Sequence, residues 1–387
     1  VTAISRRHLL RAFVIAATIA ALAWVAGGQA LLGPIDPALA IPLLASPTLL
    51  LAWWQRGEDV AVRRRTGLLA LALMAIMQGL LAIVLAGSAG WLQLLLIIIA
   101  GGLAAWLADI LLQWHNRFKW LPWMAGLALV IGWFGAGHAL LALLYQPTVA
   151  RADAPAVTIL TGLPLRWSAS RDIAAMIAEG TNDDPALARL TATGPVSLVD
   201  SITDHVPPPG GTLLIAHPRA LAPQELVAID TFVRGGGHAV VLADALSDWP
   251  ARHPLGDPRN APITSLLTPL LDHWGVTLGA APAGEGKATP VDVDGARLSL
   301  FSAGRFDRLP PQCHAYADRR VVKCRIGQGE VWLIGDADLL FAPLWRPLVP
   351  AATHLRQADT MEWLSARLWP DAGSSLLHPL WIRARTS

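Results

Sequence analysis

Apolar positions run on without a polar face through the first 146 residues; beyond them they come in short clusters separated by Gly, Pro and Asp. Five apolar runs, at about 12–32, 38–54, 67–87, 91–113 and 121–145, predict membrane-crossing helices, since a span needs about 20 apolar residues. The second run is short and carries Pro42 and Pro47. Charge decides whether it crosses. Arg6, Arg7 and Arg11, then Arg56 with Arg63, Arg64 and Arg65, then Arg117 and Lys119 occupy alternate connections; the others hold Asp36 and the uncharged stretch Gly87-Ser88-Ala89-Gly90. The positive-inside bias therefore predicts five spans in a bacterial inner membrane, a cytoplasmic N-terminus, and everything after Gln146 on the periplasmic or extracytoplasmic side. Ser5-Arg6-Arg7-His8-Leu9-Leu10-Arg11 also resembles a twin-arginine export signal, with Ala38-Leu39-Ala40 as a cleavage site. The spans that follow at once make a first membrane anchor the simpler reading.

Residues 147–387 read as an extracytoplasmic α/β domain. Ala156 to Leu160 predicts a first strand, followed by the loop Gly162 to Ser168, a helix at Asp172 to Ala178 and a strand at Val196 to Val199. Thr212 to Ala245 reads as one complete βαβ unit. Its strands, Leu213 to Ala216 and Ala239 to Ala243, are wholly apolar, as in a parallel sheet covered on both faces. Between them Pro223 opens a helix with the stripe Leu226, Ile229 and Phe232, stopped by Gly235 to Gly237. Ala261-Pro262-Ile263 is expected to start another helix, burying Leu266, Leu267, Leu270 and Leu271 and ending near Trp274-Gly275. Alternating runs at Arg297 to Phe301 and Arg320 to Ile326 predict added antiparallel strands. Glu330 to Ile334 reads as a last strand and Asp359 to Leu368 as a closing helix. The fold class is thus a helical membrane region followed by an α/β domain with a mainly parallel sheet.

Composition agrees: 54% of residues are apolar and 15% charged, against roughly 25% charged in soluble domains. Membrane lipid is therefore one partner. A formal charge of +2, with no basic stripe carrying interleaved aromatics, argues against nucleic acid. Cys313 and Cys324 flank the turn-like Ala317-Asp318-Arg319, so a symmetric hairpin would set them opposite each other, and in an oxidising compartment they would bond. Two buried thiols are the alternative, and no further ligands complete a metal set.

Open α/β sheets bind ligands beyond the C-terminal ends of their strands. Three loops gather there: Gly162 to Ser168, His217-Pro218-Arg219, and Asp244 with Asp248. Gly335-Asp336-Ala337-Asp338 joins them if the last strand runs the same way. Arg166, His217, Arg219, Asp244, Asp336 and Asp338 thus form a candidate ligand cleft. The alternative is that the aspartates only cap or turn the chain after buried strands. No nucleophile elbow, zinc-protease motif, P-loop or cofactor-binding glycine fingerprint is present, so neither a catalytic set nor a cofactor is expected. In the membrane half, Asp109 lies near Arg117 and Lys119, where pairing or snorkelling would satisfy it, and His138 reads as a packed interhelical donor.

The phrases LLIAHPRALAPQELVAIDTFVRGGGHAVVLAD, LLTPLLDHWGVTLG and GQGEVWLIGDADLL, between Leu213 and Leu340, resemble the periplasmic domain of gliding-motility-type ABC transport auxiliary proteins, the GldG-like group. The resemblance implies a fold similar to class I glutamine amidotransferases, no enzymatic activity, and an ABC permease and its ATPase as partners. Amidotransferases carry a nucleophilic cysteine in the turn after a central strand; here Ala239 to Ala243 runs into Asp244-Ala245-Leu246, which argues against that chemistry. The expected function is a membrane-anchored, non-enzymatic binding or assembly module accessory to an ABC-type or envelope complex. The alternatives are an envelope hydrolase using the Asp/His cluster, or a small transporter built from the spans.

Overall fold

The computed structural model describes residues 5–29, 33–113, 121–167, 181–254, 256–257, 259–282 and 287–383. The helix expected at Asp172 to Ala178, Ser168 of the first loop, and the cations Arg117 and Lys119 lie outside them. The chain divides into two units. One holds the residues up to Gln146 with Pro347–Arg356 and the stretch from Ser375; the other holds Pro147–Arg346 and Gln357–Ser374.

In the first unit α1 (Arg6–Val25) is followed by a 3-10 turn at Pro37–Leu43 that leads into α2 (Ala45–Trp54), then by α3 (Val60–Ala86), α4 (Trp91–Gln113) and α5 (Leu121–Leu144). Four of these helices are long and apolar enough to cross a membrane, and the 3-10 turn with α2, bent by 63°, makes up to five. The bend sits where the sequence places its prolines. Pro42 has no amide to donate, so the turn winds as a 3-10 helix capped by the Asp36 side chain on the Ala38 amide at 3.0 Å, and α2 restarts with Pro47 in its first turn. The first helix runs earlier than the 12–32 expected, because Gly27 and Gly28 end it, the latter at φ +84°. Arg63, Arg64 and Arg65, read above as connection, sit inside the first turns of α3.

The α1 face that packs on α3 is built of small and branched residues, Ala12, Ile15, Ala16, Ile19 and Ala23, all buried. Apolar side chains on the opposite faces stay exposed, among them Trp123, Leu127, Ile131 and Phe134 of α5, as lipid-facing positions do. Asp109 is held by Arg63 at 2.9 Å and by Gln113 at 2.6 Å. His138 shares a hydrogen bond with His354 at 2.9 Å, a residue of the returning chain and not of another membrane helix. The stretch from Ser375 is tied to this unit by backbone bonds from Leu377 to Leu144 and from Ile35 to Leu380.

The second unit is built on β1 (Val157–Thr161), β2 (Arg166–Trp167), β3 (Asn182–Asp183), α6 (Pro185–Thr193), β4 (Val196–Val199), β5 (Thr212–Ala216), α7 (Pro223–Arg234), β6 (His238–Leu242) and α8 (Thr268–His273). It continues through β7 (Thr277–Leu278), β8 (Thr289–Val293), β9 (Ala296–Leu300), β10 (Phe306–Arg308), β11 (Cys313–Tyr316), β12 (Val321–Ile326), β13 (Gly329–Ile334) and α9 (Thr360–Leu368). Among the described residues seven strands form the main sheet, in the order β11-β12-β13-β6-β5-β1-β4. From β13 to β4 neighbours are parallel, and β12 runs against both of its neighbours. Strand alternation sorts the core into two layers. Ile159, Leu214, Val240 and Ile334 pack on one face with Leu187 of α6 and Leu364 of α9. Leu160, Ile215, Val241 and Leu333 pack on the other with Ile229 of α7 and Leu270 of α8.

The β5-α7-β6 unit forms as expected. Pro223 occupies the first turn of α7, Glu225 accepts the Ala222 amide at 2.8 Å, and Gly236, at φ +105°, supplies the left-handed stop. The helix expected from Ala261 begins only at Thr268. Pro269 explains the delay, because inside a helix started at Ala261 its ring would strike the carbonyl of residue 265 and leave a bond unmade. Residues 263–265 instead run beside the chain after β6: the Ser247 amide donates to the Ile263 carbonyl and the Ser265 amide to the Asp244 carbonyl. The hairpin of β11 and β12 turns through Ala317, Asp318 and Arg319, all at positive φ, and sets Cys313 opposite Cys324, which form a disulfide.

Candidate functional site: a carboxylate knot at the strand ends

β13 is parallel to β6, so the Asp336 and Asp338 loop emerges at the same sheet edge as Asp244. The carboxylates of Asp244, Asp336 and Asp338 offer oxygens within 4.8 Å of one another, and all three residues are buried. Three hard oxygen donors at that spacing suit a divalent cation in principle. Their hydrogen bonds, however, are spent inward. Asp244 accepts the amides of Leu246 at 3.0 Å and Ala337 at 3.2 Å. Asp336 accepts those of Leu339 at 3.1 Å and Phe301 at 2.7 Å. Asp338 accepts the Ser247 hydroxyl at 2.7 Å and the Asp248 amide at 2.6 Å. All six carboxylate oxygens therefore hold a donor, and the knot ties together the loops that follow β6, β9 and β13.

Electrostatics follows from this burial. Loss of water, and then the charge of Asp338, push the Asp244 carboxyl up to about 7. Burial likewise drives Asp336 well above the usual carboxylate range, and Asp338 upward, with the amide and hydroxyl donors pulling the other way. Three carboxylates so close together repel one another when ionised, so the fold favours the protonated form within the knot.

The other candidate residues are held separately. His217 is buried at φ +48°, and its Nε2 lies 2.8 Å from the Pro262 carbonyl; since a carbonyl only accepts, Nε2 carries the hydrogen. Burial lowers its pKa, which keeps the ring neutral. Arg219 donates to the Asn260 carbonyl at 2.8 Å. Arg166 forms a forked pair with Asp183 across the short β2–β3 ladder, at 2.7 and 3.2 Å. Asp248 accepts from the Ser302 hydroxyl at 3.0 Å.

Sequence reasoning missed the residues that organise this edge. Asn260 accepts the amides of Arg252 and His253 and donates to the carbonyls of His253 and Pro254, closing the loop on which Arg219 rests. Arg252 lies over the Trp167 ring, 4.4 Å from its centroid. Ser247, three residues after Asp244, was the one legible signal, as a short polar side chain in a post-strand turn.

Among curated proteins none matches the chain. Solved structures give weak likenesses. An exo-β-1,4-mannosidase from Opitutaceae bacterium strain TAV5 is 13% identical, with 62% of this chain and 39% of that one covered and a TM-score of 0.34. A polyextremophilic β-galactosidase from the Antarctic haloarchaeon Halorubrum lacusprofundi is 17% identical, with 55% and 32% covered and a TM-score of 0.30. The chain thus spans well under half the length of either glycosidase, and likenesses at these scores carry no argument. Residues 155–290, which include the whole β5-α7-β6 unit, match the profile of a family described as an ABC-type uncharacterized transport system.

Proposed function

We propose that the chain is a membrane-anchored accessory subunit of an ABC-type transport system, its α/β unit serving recognition or assembly and not catalysis. The observation that carries this reading is the match of residues 155–290 to the ABC-type transport family, on a chain that also has four to five apolar helices. The carboxylate knot supports the non-enzymatic part: all three residues are buried, and each of their six oxygens accepts a hydrogen bond from within the protein, which suits a structural tie between loops. The GldG-like resemblance and an amidotransferase-like ancestry for the sheet belong to the same reading. So does the orientation, with the N-terminus inside and the α/β unit outside the cytoplasm, which rests on the arginine placement.

The strand-end edge is the natural contact surface. Leu246 and Ile263 are 55% and 64% exposed there, beside the Ser247–Ile263 backbone bond, and the knot beneath holds their loops fixed. Purification in mild detergent from the native membrane tests the reading. An ABC permease and ATPase should co-isolate in stoichiometric amounts. A monodisperse lone protein with hydrolase activity would replace this reading by that of an envelope hydrolase.

A further inference from the structure

We propose that a groove between α2 and α5 binds one anionic phospholipid, an acyl chain lying in the groove and the phosphate on Arg56. The groove measures about 480 Å³ and is lined by apolar side chains including Leu50, Trp53, Trp123 and Leu127, with Gly126 on its wall. Among its described lining residues Arg56 alone is charged.

Two features select the occupant. The first is charge. Arg11 is paired with Glu58 and Arg63 with Asp109, whereas Arg56 is exposed and has no acidic partner among the described residues. A cation at the end of an apolar groove calls for an anion attached to an apolar chain, which a phospholipid with net negative charge supplies. A second copy docked through the same helices would not supply it, since neither α2 nor α5 contains an acidic residue.

The second feature is the rim. Trp53 and Trp123 are 46% and 70% exposed on the same groove as Arg56, and indoles with a neighbouring arginine settle at headgroup depth. The groove therefore leads from the headgroup layer into the hydrocarbon. Gly126 leaves its wall open: a Cβ there would come no closer than 3.9 Å to Leu111, so a larger side chain fits the helix and intrudes on the space a lipid chain would use.

The inference rests on the helices lying in a bilayer, which carbonate extraction of the native membrane checks independently. The test uses the full chain purified in mild detergent, with phosphatidylglycerol and phosphatidylethanolamine of matched acyl chains as probes and native mass spectrometry as readout. The wild type should retain one phosphatidylglycerol at least about fivefold more tightly than phosphatidylethanolamine, the preference one arginine near a headgroup confers. Arg56→Gln should erase the preference while leaving residual binding of both lipids. Gly126→Leu should weaken both alike. Equal retention of the two lipids by the wild type would overturn the proposal, as would an undiminished preference in Arg56→Gln. A dimer that carries no lipid would assign the groove to a second copy and overturn it too.

Discussion

The Tyr145 hydroxyl donates a hydrogen bond to the carboxylate of Asp36, and both side chains are buried in the helical unit. The other Asp36 oxygen takes the Ala38 amide, Gln29 donates to the Asp36 carbonyl at 2.9 Å, and Arg356 reaches the Tyr145 carbonyl at 3.5 Å. The bent pair of the 3-10 turn and α2 is thus anchored at its start by a polar network. Tyr145→Phe leaves a buried carboxylate oxygen without its donor and should cost about 1–3 kcal/mol. Thermal unfolding of the full chain in detergent checks this: the midpoint should fall while membrane insertion is unchanged. An unaltered midpoint would mean that water or another side chain satisfies Asp36.

The carboxylate knot gives the stability of the α/β unit a pH dependence. Asp244 is raised from 3.8 to about 7, so the fold favours its protonated form. The resulting stability is complete below the unfolded value and is lost as pH rises through the folded one. His217 acts oppositely, because burial lowers its pKa, and its contribution is lost only as pH falls below 6.5. Above that value the knot dominates within the α/β unit. The melting midpoint of this unit should therefore fall between pH 6.5 and pH 8, and Asp338→Asn, which removes one of the crowded charges, should flatten that slope. A midpoint that stays flat over the interval would show that the three carboxylates are already ionised together in the fold.

Gly335 ends β13 where no side chain fits. Its backbone accepts the Gly304 amide at 2.7 Å and donates to the Arg320 carbonyl at 2.8 Å, and a Cβ would stand 2.2 Å from the Gly304 carbonyl oxygen. Backbone cannot swing aside as a side chain does, so Gly335→Ala should destabilise the α/β unit by at least about 2 kcal/mol. Denaturant unfolding of the full chain measures the change, and a loss below about 0.5 kcal/mol would show that the Gly304 loop yields freely.

The Cys313–Cys324 disulfide joins two directly opposed residues of an antiparallel ladder, eleven positions apart in sequence. In the chain-entropy model, closing a loop of this size stabilises by about 3 kcal/mol. Protein drawn from its native membrane under alkylating conditions should be fully oxidised, and reductant should lower its melting midpoint. Free thiols in that sample would place the domain in a reducing compartment and reverse the orientation proposed above.

Much of the architecture was legible because local pattern and tertiary demand agree. The strands β1, β5, β6 and β13 are largely apolar runs that a sheet covered on both faces requires, β4 is a half-buried edge strand, and Pro223 with the glycines after α7 punctuates the crossover. The cysteine pairing followed from a turn centred on Asp318. Other features depend on distant partners that no local pattern encodes. Leu266 and Leu267 have helical spacing with Leu270 and Leu271, yet Pro269 delays the helix and residues 263–265 pair with the chain after Asp244. The convergence of Asp244, Asp336 and Asp338 was legible once β13 was taken as parallel, but their donors, the amides of Phe301 and Ala337 among them, were not. Asp36 looked like one acid in a loop, because Tyr145 lies 109 residues away.

If the strand-end edge of the α/β unit meets an ABC permease, cross-linking in living cells will capture the contact. A photoreactive amino acid at Leu246 or Ile263, both exposed at that edge, would be activated in cells carrying the full native system and the adducts identified by mass spectrometry. Adducts to the permease subunit should form from these positions, and none from Val227 on α7, which is 65% exposed on the helix that covers the sheet. Adducts to the permease from Val227 alone, or none from any position, would contradict that contact.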